Sequence, residues 1–178
     1  MATTYHNAIQ QLYVAYFNRP ADVAGLAYWE GVVEAAAGDT TAVSAAFAAS
    51  AEYQAAYEDL NTTGILRQIY RNLFNAEADA PGLAFWSNAV STGAMSIDVA
   101  VTTIAAGAQG VHKETFENKV LAAEAFTGAL DTTAEAEGYS GDLANAAAKV
   151  WLAGITTDAS LTAAIAPSRP CWSSASGT

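Results

Sequence analysis

The apolar positions near the start of the chain recur with the period of an α-helix. Six residues fall on one side of this predicted helix: Tyr5, Ile9, Leu12, Tyr13, Tyr16 and Phe17. Pro20 disfavours helical backbone at the residue before it, so we expect the helix to end there. No stretch of useful length alternates between apolar and polar residues as a half-buried strand does, so the pattern predicts an all-α fold.

Two more helices are predicted before residue 58. The first of them carries Leu26, Trp29 and Val33 on one face, and Asp22 stands where its carboxylate can cap the first turn. The next carries four inward residues, Val43, Phe47, Ser50 and Tyr57. The opening of the chain therefore predicts a unit of three amphipathic helices.

The segment that joins the first two helices, called a joint below, occurs twice in similar form. It reads NRPADVAGLAYW from Asn18 and NAEADAPGLAFW from Asn75, 57 residues later. This self-similarity predicts a helical bundle with two three-helix repeats, over residues 5–57 and 62–110. Each repeated position has a predicted structural role: an aspartate cap, a glycine that admits a neighbouring backbone, and a leucine and tryptophan that anchor the helix in the core. These positions are Asp22, Gly25, Leu26 and Trp29 in the first copy, and Asp79, Gly82, Leu83 and Trp86 in the second.

The pattern changes in residues 112–166, which we expect to form C-terminal helices packed on the two repeats. The first of these has four inward residues: Phe116, Val120, Ala123 and Leu130. After a loop, a second helix is expected to begin at Asp142 as its cap, with Leu143, Ala146, Val150 and Gly154 towards the core. A short last helix stops before Pro167. Residues 1–166 are therefore predicted to be a single helical domain, because the linkers are short, and residues 167–178 a disordered tail or linker.

Charge limits the classes of partner. The chain has 7 Lys and Arg against 18 Asp and Glu, for a net charge of −11, which repels nucleic acid and anionic lipid unless a cation bridges them. No apolar run approaches the roughly 18 residues of a membrane-spanning helix, so no transmembrane segment is expected. The single cysteine, Cys171, has no partner for an internal disulfide.

The repeated sequence motif resembles that of a known family. The pattern is Tyr-x5-Arg-x2-Asp-x2-Gly-Leu-x-Tyr-Trp followed by Phe-x2-Ser-x-Glu-Tyr, and the residues that form it here are Tyr13, Arg19, Asp22, Gly25, Leu26, Tyr28, Trp29, Phe47, Ser50, Glu52 and Tyr53. It resembles a bacterial repeat domain of undefined function that occurs in large secreted surface proteins, including S-layer-like and RTX-type proteins. The second copy departs from the pattern, since Ala76 replaces the arginine and Gln109 replaces the glutamate.

The resemblance implies an extracellular or cell-surface protein that is exported by a type I system. That route agrees with the first residues, MATTYHNAIQQLY, which contain no Sec signal peptide. The glycine- and aspartate-rich nonapeptides of RTX proteins are absent from the 178 residues. We therefore expect this chain to be the N-terminal piece of a longer protein, in which calcium binding is possible.

Three residues are candidates for ligand binding. Tyr28 and Phe85 lie one position off the core-facing stripe, so they are better placed than the tryptophans to stack on a sugar. Arg19 is expected to pair with Asp22 or Glu52, and the alternative is that it reaches a ligand.

Metal and catalytic chemistry have weaker signals. Asp22 and Asp79 are interpreted as caps rather than calcium ligands, because no Asp-x-Asp-x-Asp-Gly loop supports a metal site. Glu135, Glu137 and Asp142 are the next calcium candidates. The two histidines are expected to be exposed or capping rather than to hold a metal or haem, and no nucleophile, phosphate loop or carboxylate pair indicates an enzyme or a cofactor.

The sequence therefore predicts a non-catalytic module of a secreted bacterial surface protein. Its expected role is S-layer-like self-assembly or cell-surface attachment, with other copies of itself as partners. The alternative is a carbohydrate-binding module that recognises cell-surface polysaccharide, either envelope or exopolysaccharide glycans. A cytoplasmic enzyme or scaffold is compatible with the composition, but the family resemblance argues against it.

Overall fold

The computed structural model describes residues 5–166, and the predicted tail at 167–178 lies outside them. The described residues form eleven α-helices and no strand, which confirms the all-α prediction. In chain order they are α1 (His6–Phe17), α2 (Val23–Ala35), α3 (Thr41–Ala48), α4 (Ala51–Tyr57), α5 (Thr62–Phe74), α6 (Ala80–Ser91), α7 (Ile97–Ala106), α8 (Gly110–Gly128), α9 (Thr133–Gly138), α10 (Gly141–Ala153) and α11 (Asp158–Ile165). None of the helices in this part of the chain is both long and apolar enough to cross a membrane.

Helix α1 lies at the centre of the molecule. It packs against α8, α5, α2, α3 and α7, and so it is buried on nearly every side from Ile9 to Phe17. Gln10 is buried among these apolar residues, and its amide stays satisfied because it donates to Thr127 Oγ1 at 2.8 Å and accepts from the Ala21 amide at 2.9 Å. The polar position thus ties α1 to α8 and to the turn before α2.

The end of α1 differs from the sequence prediction. The helix stops at Phe17 because Asn18 adopts a left-handed backbone conformation with φ of 51°. Helix α5 stops in the same way at Asn75, also with φ of 51°, although the residue two positions later is Glu77 and not a proline. Asparagine tolerates this conformation better than most residues, so the asparagines and not Pro20 terminate the two helices.

The predicted third helix of the first unit is divided in two. Ser50 separates α3 from α4, and its hydroxyl accepts the Tyr53 amide at 3.2 Å as an N-cap. The break turns Tyr53 and Tyr57 into the core, where their rings stack at 4.4 Å. The first unit therefore has four helices, while α5, α6 and α7 lead directly to α8.

The C-terminal helices depart most from prediction. Phe116, Val120 and Ala123 of α8 are buried as expected, whereas Leu130 is only half-buried. The predicted loop at 132–141 contains the short helix α9. Ser140, not Asp142, occupies the N-cap position of α10.

The face that α10 turns to the core is also different. Leu143 and Val150, predicted to be inward, are 90% and 77% exposed, while Ala148 and Leu152 are buried. The helix carries apolar residues on two faces, so periodicity alone could not decide which of them packs against the core.

Candidate functional site

The two repeated joints have the same capping geometry. Asp22 accepts the Gly25 amide at 2.7 Å at the start of α2, and Asp79 accepts the Gly82 amide at 2.6 Å at the start of α6. Both aspartates have extended backbone, as an N-cap requires. In each joint the carboxylate thus satisfies a free amide at the positive end of the helix dipole.

The glycines of the joints admit a side chain and not, as predicted, a neighbouring backbone. A Cβ at Gly25 would lie 2.4 Å from the Tyr13 hydroxyl and 2.9 Å from an Asp22 oxygen. At Gly82 the corresponding distances are 3.7 Å to the Tyr70 hydroxyl and 2.7 Å to Asp79. The glycine therefore makes room for the capping carboxylate in both joints, and for a buried tyrosine hydroxyl in the first.

A buried lysine from α8 connects the two joints. The Lys119 ammonium donates to Asn18 Oδ1 at 3.0 Å, to Asn75 Oδ1 at 2.5 Å and to the Asn72 carbonyl at 2.6 Å. The side chain is fully buried, and no carboxylate is among these partners. One side chain from α8 therefore holds the asparagines that end α1 and α5.

The same two asparagines also attach α10. Asn18 Nδ2 donates to the Lys149 carbonyl at 3.3 Å, and Asn75 Nδ2 donates to the Ala153 carbonyl at 2.5 Å. Because each amide oxygen faces Lys119, each amide nitrogen is turned towards α10. The joints thus position α8 and α10 as well as the repeats.

Burial lowers the pKa of Lys119 to about 7, from 10.5. An ammonium removed from water is destabilised relative to the neutral amine unless an opposite charge compensates it, and here the compensation comes only from dipoles. The sequence prediction missed this residue. A signal was present, because Lys119 falls on the same side of α8 as Phe116 and Ala123 at helical spacing.

Arg19 is engaged inside the first joint. Its guanidinium donates to Glu52 through Nη2 at 2.7 Å and Nε at 3.0 Å, while its distance to Asp22 is 4.0 Å. Lys149 lies 3.1 Å from Glu52 Oε1, the oxygen that also accepts from Arg19 Nε. Burial would raise the pKa of Glu52, but Arg19 and then Lys149 outweigh it and lower the pKa below its ordinary value. The predicted structural pair with Glu52 is present, and Arg19 is only 7% exposed.

The two tryptophans are less buried than predicted. Leu26 and Leu83 occupy the core side of α2 and α6, while Trp29 and Trp86 pack at the edge of the core and stay partly exposed. The Trp29 ring meets Phe47 edge-on, with centroids 5.4 Å apart. The two tryptophans therefore close the core at its margin.

Tyr28 and Phe85 lie on the surface, 65% and 61% exposed. Each ring stands edge-on to the next residue in the chain, with centroids 4.8 Å apart for Tyr28 and Trp29 and 4.9 Å for Phe85 and Trp86. The structure therefore presents one exposed aromatic ring on α2 and one on α6, each supported by a partly buried tryptophan.

The acidic candidates do not form a cluster. Glu135 accepts from the Thr132 hydroxyl and amide in a capping box on α9, and these bonds lower the pKa of Glu135. Glu137 and Asp142 are exposed. Between residues 5 and 166, no three His, Cys, Asp or Glu side chains are close enough to hold a metal ion together.

The histidines also have structural contacts. His6 was predicted to be exposed or capping, but its Nε2 lies 2.9 Å from Glu30 Oε2 and joins α1 to α2. The His112 ring stacks on Phe74 with centroids 4.9 Å apart. Both packings follow from the close approach of the helices, which the sequence pattern alone does not reveal.

Comparison with known proteins identifies the family. The family described as a domain of unknown function (DUF4214) matches residues 2–57 and 44–108. The two ranges overlap and differ at their boundaries, so the 57-residue offset stays a prediction. No curated protein and no solved structure matches the chain significantly. Because the two matches together cover more than half of the 178 residues, the chain belongs to the DUF4214 family.

Proposed function

We propose that this chain is a non-catalytic module of a secreted bacterial surface protein, and that it acts through contact with other copies of itself or with the cell surface. One observation carries the proposal, which is the way the side chains are distributed between interior and surface. The polar side chains of the repeated joints are engaged in internal bonds, as in Arg19 with Glu52 and Lys119 with the asparagines. Large apolar side chains are exposed instead, with Leu143 at 90% and Tyr28 at 65%.

This distribution of side chains favours a binding role over a catalytic one. An exposed aromatic or aliphatic side chain contributes to binding when a partner covers it, whereas a side chain engaged in buried bonds is not free to act on a substrate. The net charge of −11 opposes approach to an acidic envelope, although salt screens this repulsion beyond about 10 Å. Divalent cations can bridge the two acidic surfaces, so contact should strengthen in millimolar calcium.

The test is retention of the labelled chain on bacterial cells that carry the parent gene, in calcium and in chelator. Size-exclusion chromatography under the same two conditions reports self-association separately. The proposal expects retention or self-association, either of them stronger in calcium. A monomer that ignores the cells in calcium, and that turns over a substrate in an activity screen, would contradict it.

A second function, recognition of surface polysaccharide, has its own observation. Tyr28 and Phe85 are exposed rings that stand edge-on to partly buried tryptophans. Such rings are suited to stack on the apolar face of a sugar, because they are large, rigid and supported from behind. Their presence on both α2 and α6 offers two contacts for a repeating glycan, and two linked contacts raise apparent affinity.

Retention on a column of immobilised envelope polysaccharide tests this second function. Wild type should be retarded, Tyr28→Ala and Phe85→Ala each less, and the double variant least. Leu121→Ala on α8 is the matched control, since Leu121 is also exposed, at 48%. Equal retention of the double variant and wild type would argue against recognition by these rings.

A further inference from the structure

Helix α10 presents an apolar stripe that no other part of the described chain covers. Leu143 and Val150 are 90% and 77% exposed, and Ala147 and Gly154, also exposed, share their side of the helix at intervals of three or four residues. The opposite side of α10 is anchored by buried Ala148 and Leu152. The stripe is therefore held in place by the core and open to solvent along the whole helix.

The stripe is complementary to itself in shape. Its larger side chains, Leu143 and Val150, stand near the ends, and the small Ala146 and Ala147 lie between them. When two such helices cross antiparallel about a twofold axis at the alanines, Leu143 of each copy meets Val150 of the other. The alanines at the crossing allow the two backbones to approach closely.

The charges beside the stripe are complementary in the same arrangement. Asp142 and Lys149 are seven residues apart and lie on one row along the edge of the stripe. An antiparallel pairing brings Asp142 of one copy towards Lys149 of the other, whose ammonium lies 3.1 Å from Glu52 of its own chain and whose side chain stays 35% exposed. This pairing also opposes the two helix dipoles favourably. A parallel pairing would instead place like charges together. In a chain with a net charge of −11, α10 carries one acid and one base, so repulsion between copies is low at this helix.

We propose that α10 is the surface through which two copies of this chain associate, as an antiparallel pair of helices. The inference rests on the proposed contact function and names the partner and the surface. A helix of 13 residues is about 20 Å long. That is too short to cover the roughly 800 Å² per partner of a stable interface. The pair is therefore weak in isolation, and it gains strength when many copies are held together on a surface.

Sedimentation equilibrium of the full chain tests the association, over roughly 10 μM to 1 mM because a weak interface is expected. Wild type should show a concentration-dependent monomer–dimer equilibrium. Leu143→Glu should weaken the dimer about 100-fold. In a twofold dimer this one substitution removes two leucine contacts and adds two carboxylates. Val111→Glu on α8, where the valine is 69% exposed, is the matched control and should leave the equilibrium unchanged.

Chemical cross-linking tests the antiparallel arrangement in a Cys171→Ser background. With a short bismaleimide, Ala147→Cys should cross-link to itself, and Leu143→Cys should cross-link to Val150→Cys in a mixture better than either does alone. Leu143→Cys cross-linking best to itself would indicate a parallel pair and overturn the proposed arrangement.

Failure of this proposal is distinguishable from failure of the proposed function. A chain that stays monomeric at all concentrations, or a dimer that Leu143→Glu does not weaken, overturns the α10 interface. Cell retention of the Leu143→Glu variant at wild-type level would leave the surface-contact function standing. Circular dichroism and thermal melts of each variant establish that the substituted chains are folded.

Discussion

Lys119 is the residue on which both repeated joints depend. Its three hydrogen-bond donors meet three oxygens from two helix ends, at 2.5 to 3.0 Å, and the donor geometry matches an ammonium group. Burial favours the neutral amine and lowers the pKa to about 7, so hydrogen bonding and desolvation act against each other at this position. The consequence is a measurable dependence of stability on pH.

The free energy of unfolding should rise between pH 7 and about 9.5 because of Lys119. In this window the unfolded chain, with a lysine pKa near 10.5, holds a proton that the folded chain, with a pKa of about 7, has lost. The slope contributed by one proton is at most about 1.4 kcal/mol per pH unit. Lys119→Met should remove this contribution in urea unfolding experiments carried out at several pH values.

Above pH 10 the trend should reverse. Burial raises the pKa values of Tyr13 and Tyr53 to about 12 from 10.0, so their stabilising contribution, present below pH 10, is lost as the pH rises.

If Lys119→Met does not fold, an NMR titration of the Lys119 ε-carbon in wild type measures the pKa of Lys119 directly. An ordinary value near 10.5 would contradict the account.

Gly25 is predicted to be more sensitive to a methyl group than Gly82. Alanine normally favours a helix over glycine by about 1 kcal/mol, but at Gly25 its Cβ would lie 2.4 Å from the Tyr13 hydroxyl. Overpacking of this kind costs about 1–3 kcal/mol. Gly25→Ala should therefore destabilise the chain more than Gly82→Ala, where the tyrosine hydroxyl is 3.7 Å away.

The Tyr13→Phe background identifies the cause of this difference. Removing the hydroxyl should recover most of the excess cost of Gly25→Ala in a double-mutant cycle. An unchanged cost would show that the displaced Asp22 carboxylate, and not the tyrosine, makes the glycine necessary.

At the scale of elements, periodicity and capping signals predicted the helices before residue 110 far better than the C-terminal helices. Helices α1 and α5 have one strongly apolar face, and an aspartate stands at the start of α2 and α6, so few alternatives exist there. Helix α10 is rich in alanine and apolar on two faces, and its orientation depends on tertiary contacts that a single sequence does not display. Lys119 escaped prediction for a different reason. Its spacing from Phe116 places it on the inner side of α8, but a lysine is expected at the surface.

The helix caps provide a prediction at this scale. Asp22→Ala and Asp79→Ala should each lower the free energy of unfolding by about 0.5–2 kcal/mol, because each leaves a helix amide without its acceptor. Addition of calcium should not change the difference between the melting temperatures of wild type and Asp22→Ala. A calcium-dependent rise in wild type that is absent from Asp22→Ala would instead identify the aspartate as a calcium ligand.

At the scale of the whole molecule, the side chains that hold the helices together differ from those that are exposed for contact with a partner. Hydrogen bonds of Lys119, Asn18 and Asn75 hold α1, α5, α8 and α10 together. Exposed apolar side chains lie on the outer sides of α2, α6 and α10, and others lie on α7 and α8. Substitutions on these outer sides should change contact without changing stability, since they remove little that is buried. This separation makes the proposed function testable without unfolding the protein.

Retention of the full chain on cells tests the central claim most directly, with wild type compared against a variant that carries Tyr28→Ala, Phe85→Ala, Leu143→Glu and Val150→Glu. The matched control carries Val111→Glu and Leu121→Glu, which alter exposed apolar residues of α8. We predict that the four-site variant loses retention while its melting temperature stays near that of wild type, and that the control is retained. Equal retention of the four-site variant and wild type would contradict the account.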